Sequence, residues 1–192
     1  LQKAFPKAKF GLNHYYRVYK AADDSIDGAA RSVAPAGDAT SACTGDRCMG
    51  QRLLKWQDER ELRSCSKGLP VGVMDTGVDF EHPALRTINI GHFGPEGRTE
   101  APTWHGTGVL TLLAGDPKSG TPGLIPDAKF FVASVFYADR KGNFASDTET
   151  LLHALDWMEK MGVKVVNMSF AGPRDSLVEQ RIAAMSAKGF VF

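Results

Sequence analysis

The sequence predicts an α/β fold, in which a parallel sheet carries helices on both faces and so forms three layers. Three apolar runs, at 71–75, 129–136 and 163–169, have the length and composition of buried strands. Stretches with helical features separate them. Alternation of strands and helices along a chain is typical of parallel sheets with right-handed crossover connections.

The first strand of this pattern, 71–75, ends in an acidic residue. Its sequence Val-Gly-Val-Met-Asp closes with Asp75, and Thr76-Gly77 follows as a tight turn. A buried parallel strand of this kind presents the carboxylate at its C-terminal edge, where open α/β sheets build their sites. Further along, His105 precedes the apolar stretch 109–114, which predicts a helix with the imidazole near its beginning.

Two later helices follow from periodicity and from capping signals. Apolar residues that share one face of the first of these helices are Leu151, Ala154, Leu155, Met158 and Met161. Gly162 ends this helix, and Gly189 ends the next one at Lys188. Ser146 with Glu149, and Ser176 with Glu179, predict a capping box at the start of each helix. Residues 190–192 begin a further strand.

Asp75 and His105 together point to acid and base catalysis. A carboxylate that holds a histidine in one tautomer forms two thirds of a nucleophilic triad. Each residue alone has a plainer interpretation: Asp-Thr-Gly occurs in strand-ending turns and in aspartic proteases, and a histidine before Gly-Thr can cap a helix. The combination favours the catalytic interpretation.

Four segments resemble motifs of the subtilisin-like serine proteases, in the order and spacing of that family. They are DTGVDFEHPAL at 75–85, HGTGVLTLLAG at 105–115, GLIPDAKFFVASVF at 123–136 and VKVVNMSFAGP at 163–173. The resemblance covers the chain from about Leu69 to its end. It implies a subtilisin-like three-layer domain with serine endopeptidase activity, in which Asp75 and His105 are catalytic, and it implies no cofactor.

The same resemblance implies a substrate cleft. One wall is the strand edge Ser169-Phe170-Ala171-Gly172, against which the family lays a peptide by backbone pairing. The opposite wall corresponds to 139–144 and includes Gly142 and Phe144. For Phe144 two interpretations stay open, the floor of a pocket for an apolar side chain and the hydrophobic staple of the helix that Ser146 caps.

Two departures from the family pattern concern other residues. Gly108 stands where the family usually has a second histidine, and Ala84 stands where many members place a calcium-binding aspartate. We therefore predict no metal site. His82, a single histidine beside a proline, is interpreted as a turn or packing residue.

The nucleophile of the triad is not among the recognisable motifs. The family's oxyanion asparagine loop and Gly-Thr-Ser helix start do not occur, and none of the serines lies on a glycine-rich turn into a helix. We therefore expect a catalytic domain that is truncated on its C-terminal side, inactive alone and completed by a C-terminal remainder. The alternatives are an inactive truncated paralogue that binds peptides or a partner, and an aspartic-type protease that pairs Asp75 with a second such motif or a symmetric copy.

The chain divides into three predicted parts. Residues 1–42 are a prosegment tail and linker, 43–68 a cysteine-containing lead-in, and 69–192 the incomplete catalytic domain. Residues 13–17 resemble the end of a family prosegment, whose tail lies in the cleft before it is cut away. This predicts a zymogen that is cleaved between Tyr16 and Cys43.

Composition and the cysteines limit which other functions the sequence allows. Hydrophobic residues make up 43% and charged residues 23%, with a formal net charge of +1 and scattered basic residues, so no nucleic-acid surface is indicated. No apolar run reaches the roughly 18 residues of a membrane span.

Cys43, Cys48 and Cys65 lack the other ligands of a zinc site. They are either thiols or, in an exported periplasmic or extracellular protein, include one disulfide.

Overall fold

The structure is a computed structural model that describes residues 11–18, 64–88, 90–94, 96–138 and 144–192. Its strands are β1 (Tyr15–Val18), β2 (Pro70–Asp75), β3 (Ile90–Phe93), β4 (Lys129–Ser134), β5 (Tyr137–Ala138), β6 (Phe144–Asp147), β7 (Val165–Met168) and β8 (Phe170–Ala171). Its helices are α1 (Trp104–Ala114), α2 (Thr148–Lys160) and α3 (Ser176–Ser186), with a 3₁₀ turn at Pro117–Ser119.

A parallel sheet of order β3-β4-β2-β7 forms the centre of the described fold. Its central strand pair, β2 and β4, aligns Asp75 with Ser134 at the carboxyl ends. On the other side of β2, Met74 aligns with Met168, so that Ser169 follows at the level of Asp75. The register therefore brings polar residues of neighbouring strands to one edge of the sheet.

Side chains alternate between the two faces of this sheet, and each face is covered by helices. On one face, Val73 and Val132 pack with Leu110 of α1 in one buried cluster. On the other face, Met74 and Phe131 belong to a cluster with the buried residues of α2 and α3. This arrangement confirms the predicted α/β class with helices on both faces of a parallel sheet.

Helix α2 follows the predicted apolar pattern up to its last turn. Leu151, Ala154, Leu155 and Met158 are fully buried, whereas Met161 is 41% exposed. Met161 is already the C-cap residue, and Gly162 ends the helix with a φ of +72°. The prediction was wrong for Met161 because the helix ends before that residue could turn its side chain to the sheet.

The two predicted capping boxes are displaced by one residue. Asp147 caps α2 by accepting a hydrogen bond from the amide of Thr150, and Ser146 lies within β6. Asp175 likewise caps α3, in which Ser176 is the first residue. An aspartate is as good an N-cap as a serine, and its charge also interacts favourably with the helix dipole.

A second sheet, of order β5-β6-β1-β8, is antiparallel and lies beyond the carboxyl end of β7. Strand β8 continues the chain of β7 after Ser169, so one segment contributes to both sheets. Strand β1, from the N-terminal part of the chain, lies between β6 and β8. The boundaries predicted at residues 42 and 68 stay predictions.

The carboxylate of Asp147 joins several elements at the start of α2. It accepts hydrogen bonds from Arg98 Nη1 at 2.9 Å, from the Tyr137 hydroxyl at 2.5 Å and from the Thr150 amide at 2.9 Å. Burial alone would raise the pKa of Asp147, but these hydrogen bonds outweigh it and lower the pKa from 3.8 to about 2. The ionised carboxylate therefore stabilises the fold.

We expect Asp147→Ala to lower the free energy of unfolding by about 2–4 kcal/mol at pH 7, because the helix cap is lost, the buried Tyr137 hydroxyl loses its acceptor and Arg98 loses its ion pair. Because the folded pKa lies below the ordinary value, this stabilisation is complete above about pH 4 and is lost as the pH falls towards 2. Urea denaturation at several pH values measures the difference. Exposed Glu96→Ala, as a control, should change stability by less than about 0.5 kcal/mol; an Asp147 difference independent of pH would contradict the prediction.

The cysteines and the search for a membrane span are described only in part. Cys65 is exposed and its thiol is free, whereas Cys43 and Cys48 lie outside the described residues. In the ranges that the structure describes, no helix has the length and hydropathy needed to cross a membrane.

Candidate active site

Asp75 is the last residue of β2 and lies where the sequence pattern places it, at the carboxyl edge of the sheet. Only 1% of its surface is exposed. Its Oδ1 accepts a hydrogen bond from the Thr76 amide at 2.7 Å. Oδ2 is buried and has no hydrogen-bond partner among the described residues, so it stays available as an acceptor.

His105 is the second residue of α1 and faces Asp75. Its Nδ1 lies 2.6 Å from Asp75 Oδ1, and its side chain is 18% exposed. A carboxylate only accepts hydrogen bonds, so in the neutral ring Nδ1 carries the proton and Nε2 holds the lone pair. The geometry therefore provides a base at Nε2 whose orientation is set by a buried carboxylate.

A set of short contacts holds α1 against the turn that follows β2. The amide of Gly106 donates to Thr76 Oγ1 at 2.8 Å, and the amide of Asp79 donates to Thr107 Oγ1 at 2.9 Å. A Cβ on Gly106 would lie 2.6 Å from the carbonyl oxygen of Thr76 and 2.7 Å from that of Gly77. The absence of a side chain at position 106 thus allows the helix to approach the turn closely enough for the Asp75–His105 contact.

Sequence reasoning missed the roles of Thr76 and Thr107. Both threonines are buried, and each accepts a backbone amide from the opposite element. The available signal was their position, since each follows closely on one member of the acid and base pair. We interpret them as positioning residues because they fix the backbone on both sides of the contact.

Of the predicted wall Ser169-Phe170-Ala171-Gly172, the two middle residues lie in the antiparallel sheet. Phe170 and Ala171 form β8, and the edge of this strand is not open because it pairs with β1. Gly172 packs against Tyr16. Ser169 links the sheets and donates a hydrogen bond from Oγ to Asn167 Oδ1 at 2.7 Å. The roles of these residues in substrate binding stay predictions.

The opposite wall is described only in part. Gly142 lies outside the described residues. Phe144 begins β6 and is 42% exposed. Because Ser146 does not cap α2, the interpretation of Phe144 as a staple to that cap is wrong, and its role as a pocket floor stays a prediction.

Among the other residues that the sequence singled out, His82 has a structural role. His82 Nδ1 accepts a hydrogen bond from the amide of Ala84 at 3.3 Å, as expected for a turn residue. Within the described ranges, no group of three or more His, Cys, Asp or Glu side chains is placed to hold a metal ion. Gly108 has open space where a Cβ would lie.

Solved structures similar to this chain share its fold. Fervidolysin from Fervidobacterium pennivorans, a keratinolytic enzyme related to subtilisin, matches with a TM-score of 0.57 and 23% identity over 70% of this chain and 22% of that one. The CspB protease of Clostridium perfringens matches with a TM-score of 0.55 and 16% identity over 74% of this chain and 38% of that one. At these identities the likeness concerns the fold alone.

Sequence comparisons give the family. Subtilisin BL of Lederbergia lenta is 31% identical over 125 residues, which are 64% of this chain and 45% of the relative. The major intracellular serine protease of Bacillus subtilis strain 168 is 30% identical over 117 residues, 57% of this chain and 36% of the relative. The chain spans less than half the length of these curated relatives. The profile of the subtilase family matches residues 66–192, and the chain therefore belongs to the subtilase family.

Proposed function

We propose that this protein is a serine-type endopeptidase in which Asp75 and His105 are the acid and base members of an Asp/His/Ser triad. The observation that carries the proposal is the 2.6 Å contact between His105 Nδ1 and the buried Asp75 Oδ1, at the carboxyl edge of a parallel sheet. In the proposal, the remainder of the catalytic domain supplies the serine.

In this reaction His105 Nε2 accepts the proton of the serine hydroxyl as the oxygen attacks the peptide carbonyl. The same nitrogen then donates that proton to the leaving amine. Asp75 keeps the ring in the tautomer that leaves Nε2 free, and its charge stabilises the imidazolium as it forms. Peptides or proteins are the substrates of such a site.

The experiment that tests the activity uses the complete gene product. We expect hydrolysis of an internally quenched peptide, covalent labelling of a serine by a fluorophosphonate probe, and no inhibition by pepstatin. Pepstatin inhibition would instead support the aspartic-type alternative. Neither hydrolysis nor labelling in a folded complete protein would overturn the proposal.

A second candidate function is peptide binding without catalysis, by an inactive paralogue. The observation in its favour is that β8 already pairs with an extended segment, β1, and this pairing involves neither Asp75 nor His105. The same assay separates the two candidates, because a paralogue of this kind would bind peptides without cleaving them.

We also propose that the segment containing β1 is the tail of a prosegment, and that cleavage falls between Tyr16 and Cys43. The position of β1 between β6 and β8, which carry residues of the predicted cleft, supports this, since a tail awaiting cleavage would lie there as a peptide does. N-terminal sequencing of the mature protein tests it. A mature N-terminus upstream of Leu12 or downstream of Cys65 would contradict it.

Export from the cytoplasm is part of the proposal. It is compatible with the three cysteines before Asp75, which allow one disulfide, a bond that forms and persists in oxidising compartments. Cell fractionation combined with thiol labelling tests it. The protein found in the cytoplasm with its thiols reduced would contradict export.

A further inference from the structure

The loop at the end of α1 is tied to the turns that follow β2. The amide of Asp116, two residues after α1, donates a hydrogen bond to the carbonyl oxygen of Ala84 at 2.9 Å. In the opposite direction, the Thr87 hydroxyl donates to Asp116 Oδ2 at 3.0 Å. One aspartate therefore joins two segments that lie 29 residues apart in the sequence.

The rest of this loop folds around Asp116. Its Oδ1 accepts a hydrogen bond from the amide of Lys118 at 2.8 Å and so caps the 3₁₀ turn. Its carbonyl oxygen accepts hydrogen bonds from the amide of Ser119 at 2.9 Å and from the hydroxyl of Ser119 at 2.6 Å. The chain then returns to the end of α1, where the amide of Gly123 donates to the carbonyl oxygen of Gly115 at 2.8 Å.

The same loop completes the C-terminal end of α1. The last carbonyl groups of a helix have no partner within the helix. Here the amides of Leu124 and Ile125 donate to the carbonyl oxygens of Leu112 at 2.9 Å and Leu113 at 2.8 Å. The loop that Asp116 organises therefore fixes one end of the helix that carries the predicted base at its other end.

The residues around Ala84 do not fit the calcium ion for which many family members have an aspartate at this position. Calcium takes about six to eight oxygen ligands. The side chain of Ala84 has no oxygen, and its carbonyl oxygen faces the Asp116 amide. Both carboxylate oxygens of Asp116 already accept hydrogen bonds. The oxygens of this region are thus directed at hydrogen-bond donors and do not converge on one point.

We propose that Asp116 joins the two segments without a metal ion, so that the loop at the end of α1 keeps its structure independently of calcium. A hydrogen-bonded aspartate thus links the segments next to the position at which many family members have a calcium ligand. The inference does not rest on the proposed endopeptidase function, because the exchange of loop amides is measured without substrate and its outcome is separate from activity.

Hydrogen exchange of the loop amides in the complete protein tests the inference. The amides of Asp116, Lys118 and Ser119 report on the loop, because each makes one of the hydrogen bonds described above. We expect the same exchange rates in excess calcium chloride and in excess EGTA. A calcium site in this loop, at a calcium concentration 100 times its dissociation constant, would slow the exchange about 100-fold. Slower exchange in calcium would overturn the proposal.

Asp116→Ala and Asp116→Asn form a matched pair of variants. Asparagine keeps an oxygen for the Lys118 amide, and its NH₂ group can donate to the Thr87 hydroxyl oxygen, whereas alanine makes neither bond. We expect Asp116→Ala to speed the exchange of the loop amides about 10-fold and Asp116→Asn about threefold or less. Unchanged exchange in Asp116→Ala, or equal acceleration in both variants, as the loss of a charged cation ligand would cause, contradicts the proposal.

Ala84→Asp introduces the carboxylate of the family pattern. Ala84 is 1% exposed, so the new charge is buried without a prepared set of ligands. We expect faster exchange of the loop amides in this variant, and we expect calcium not to reverse it. Exchange that calcium restores to the wild-type rate would show that the other calcium ligands are present, and would overturn the proposal.

Discussion

His105→Ala in the complete protein is expected to reduce kcat by about 10⁶-fold, because the variant loses the group that takes the proton from the nucleophile. The fold should persist, since His105 lies at the start of α1 and keeps 18% of its side chain exposed. Peptide hydrolysis measures the loss, and circular dichroism shows whether the variant is folded.

Asp75→Asn tests the role of Asp75 in orienting His105 separately from the role of His105 as the base. An amide in place of the carboxylate favours the wrong tautomer of His105, and we expect a loss of about 10⁴-fold in kcat. His153→Ala is the control for the histidine variant, because His153 is an exposed histidine of α2.

Retention of more than about one hundredth of the wild-type rate in His105→Ala would show that another group is the base.

The second large effect is expected from Gly106→Ala. The new methyl group would meet two backbone carbonyl oxygens, those of Thr76 and Gly77, at less than 3 Å. Backbone atoms cannot move aside as a flexible side chain can, so α1 must shift away from the turn after β2. We expect a loss of about 1–3 kcal/mol in stability. Because this shift lengthens the Asp75–His105 contact, we also expect a loss of about 10²-fold in kcat.

Gly108→Ala, two residues further along the same helix, is the matched control. A Cβ at position 108 would meet nothing within 4 Å. Alanine is the better helix former, so this variant should gain about 0.5–1 kcal/mol and keep its activity. Thermal denaturation and initial rates of both variants give the comparison, and equal behaviour of the two would contradict the steric explanation.

Three of the four central strands, β2, β4 and β7, were predictable because their signals are local, whereas β3 was not predicted, since its sequence Ile-Gly-His-Phe is not an apolar run. Each of the three predicted strands is a short apolar run, and the residue that ends β2 is acidic, so the position of Asp75 followed from a few neighbouring residues. The position of His105 at the start of α1 followed in the same way. Their contact required one further step, that carboxyl ends of parallel strands share an edge.

Helix starts were predicted less well because two capping residues competed. In both α2 and α3 an aspartate stands directly before or after the predicted serine, and the aspartate caps the helix. Sequence spacing alone favoured the Ser-x-x-Glu pattern. The choice depends on the direction in which the chain arrives, and for Ser146 that direction is set by the pairing of β6 with β1.

The slot filled by β1 could not be derived from local pattern. His14 donates its amide hydrogen to a side chain 134 residues away, that of Thr148. The Tyr16 ring likewise packs against Phe170 and Gly172, which are far from it in sequence. The resemblance to a family prosegment indicated the segment, but not its register.

The long-range pairing of β1 has a consequence for the order in which the molecule assembles. Closing the 134-residue loop between His14 and Thr148 costs about 1 kcal/mol more chain entropy than closing the 30-residue loop between Asp75 and His105. Contacts of high sequence separation form slowly for this reason. We therefore expect the acid and base pair to come together before β1 docks, and during that interval the edges of β6 and β8 would lack β1 as their strand partner. Of the described elements, we expect β1 to be the last to join the fold.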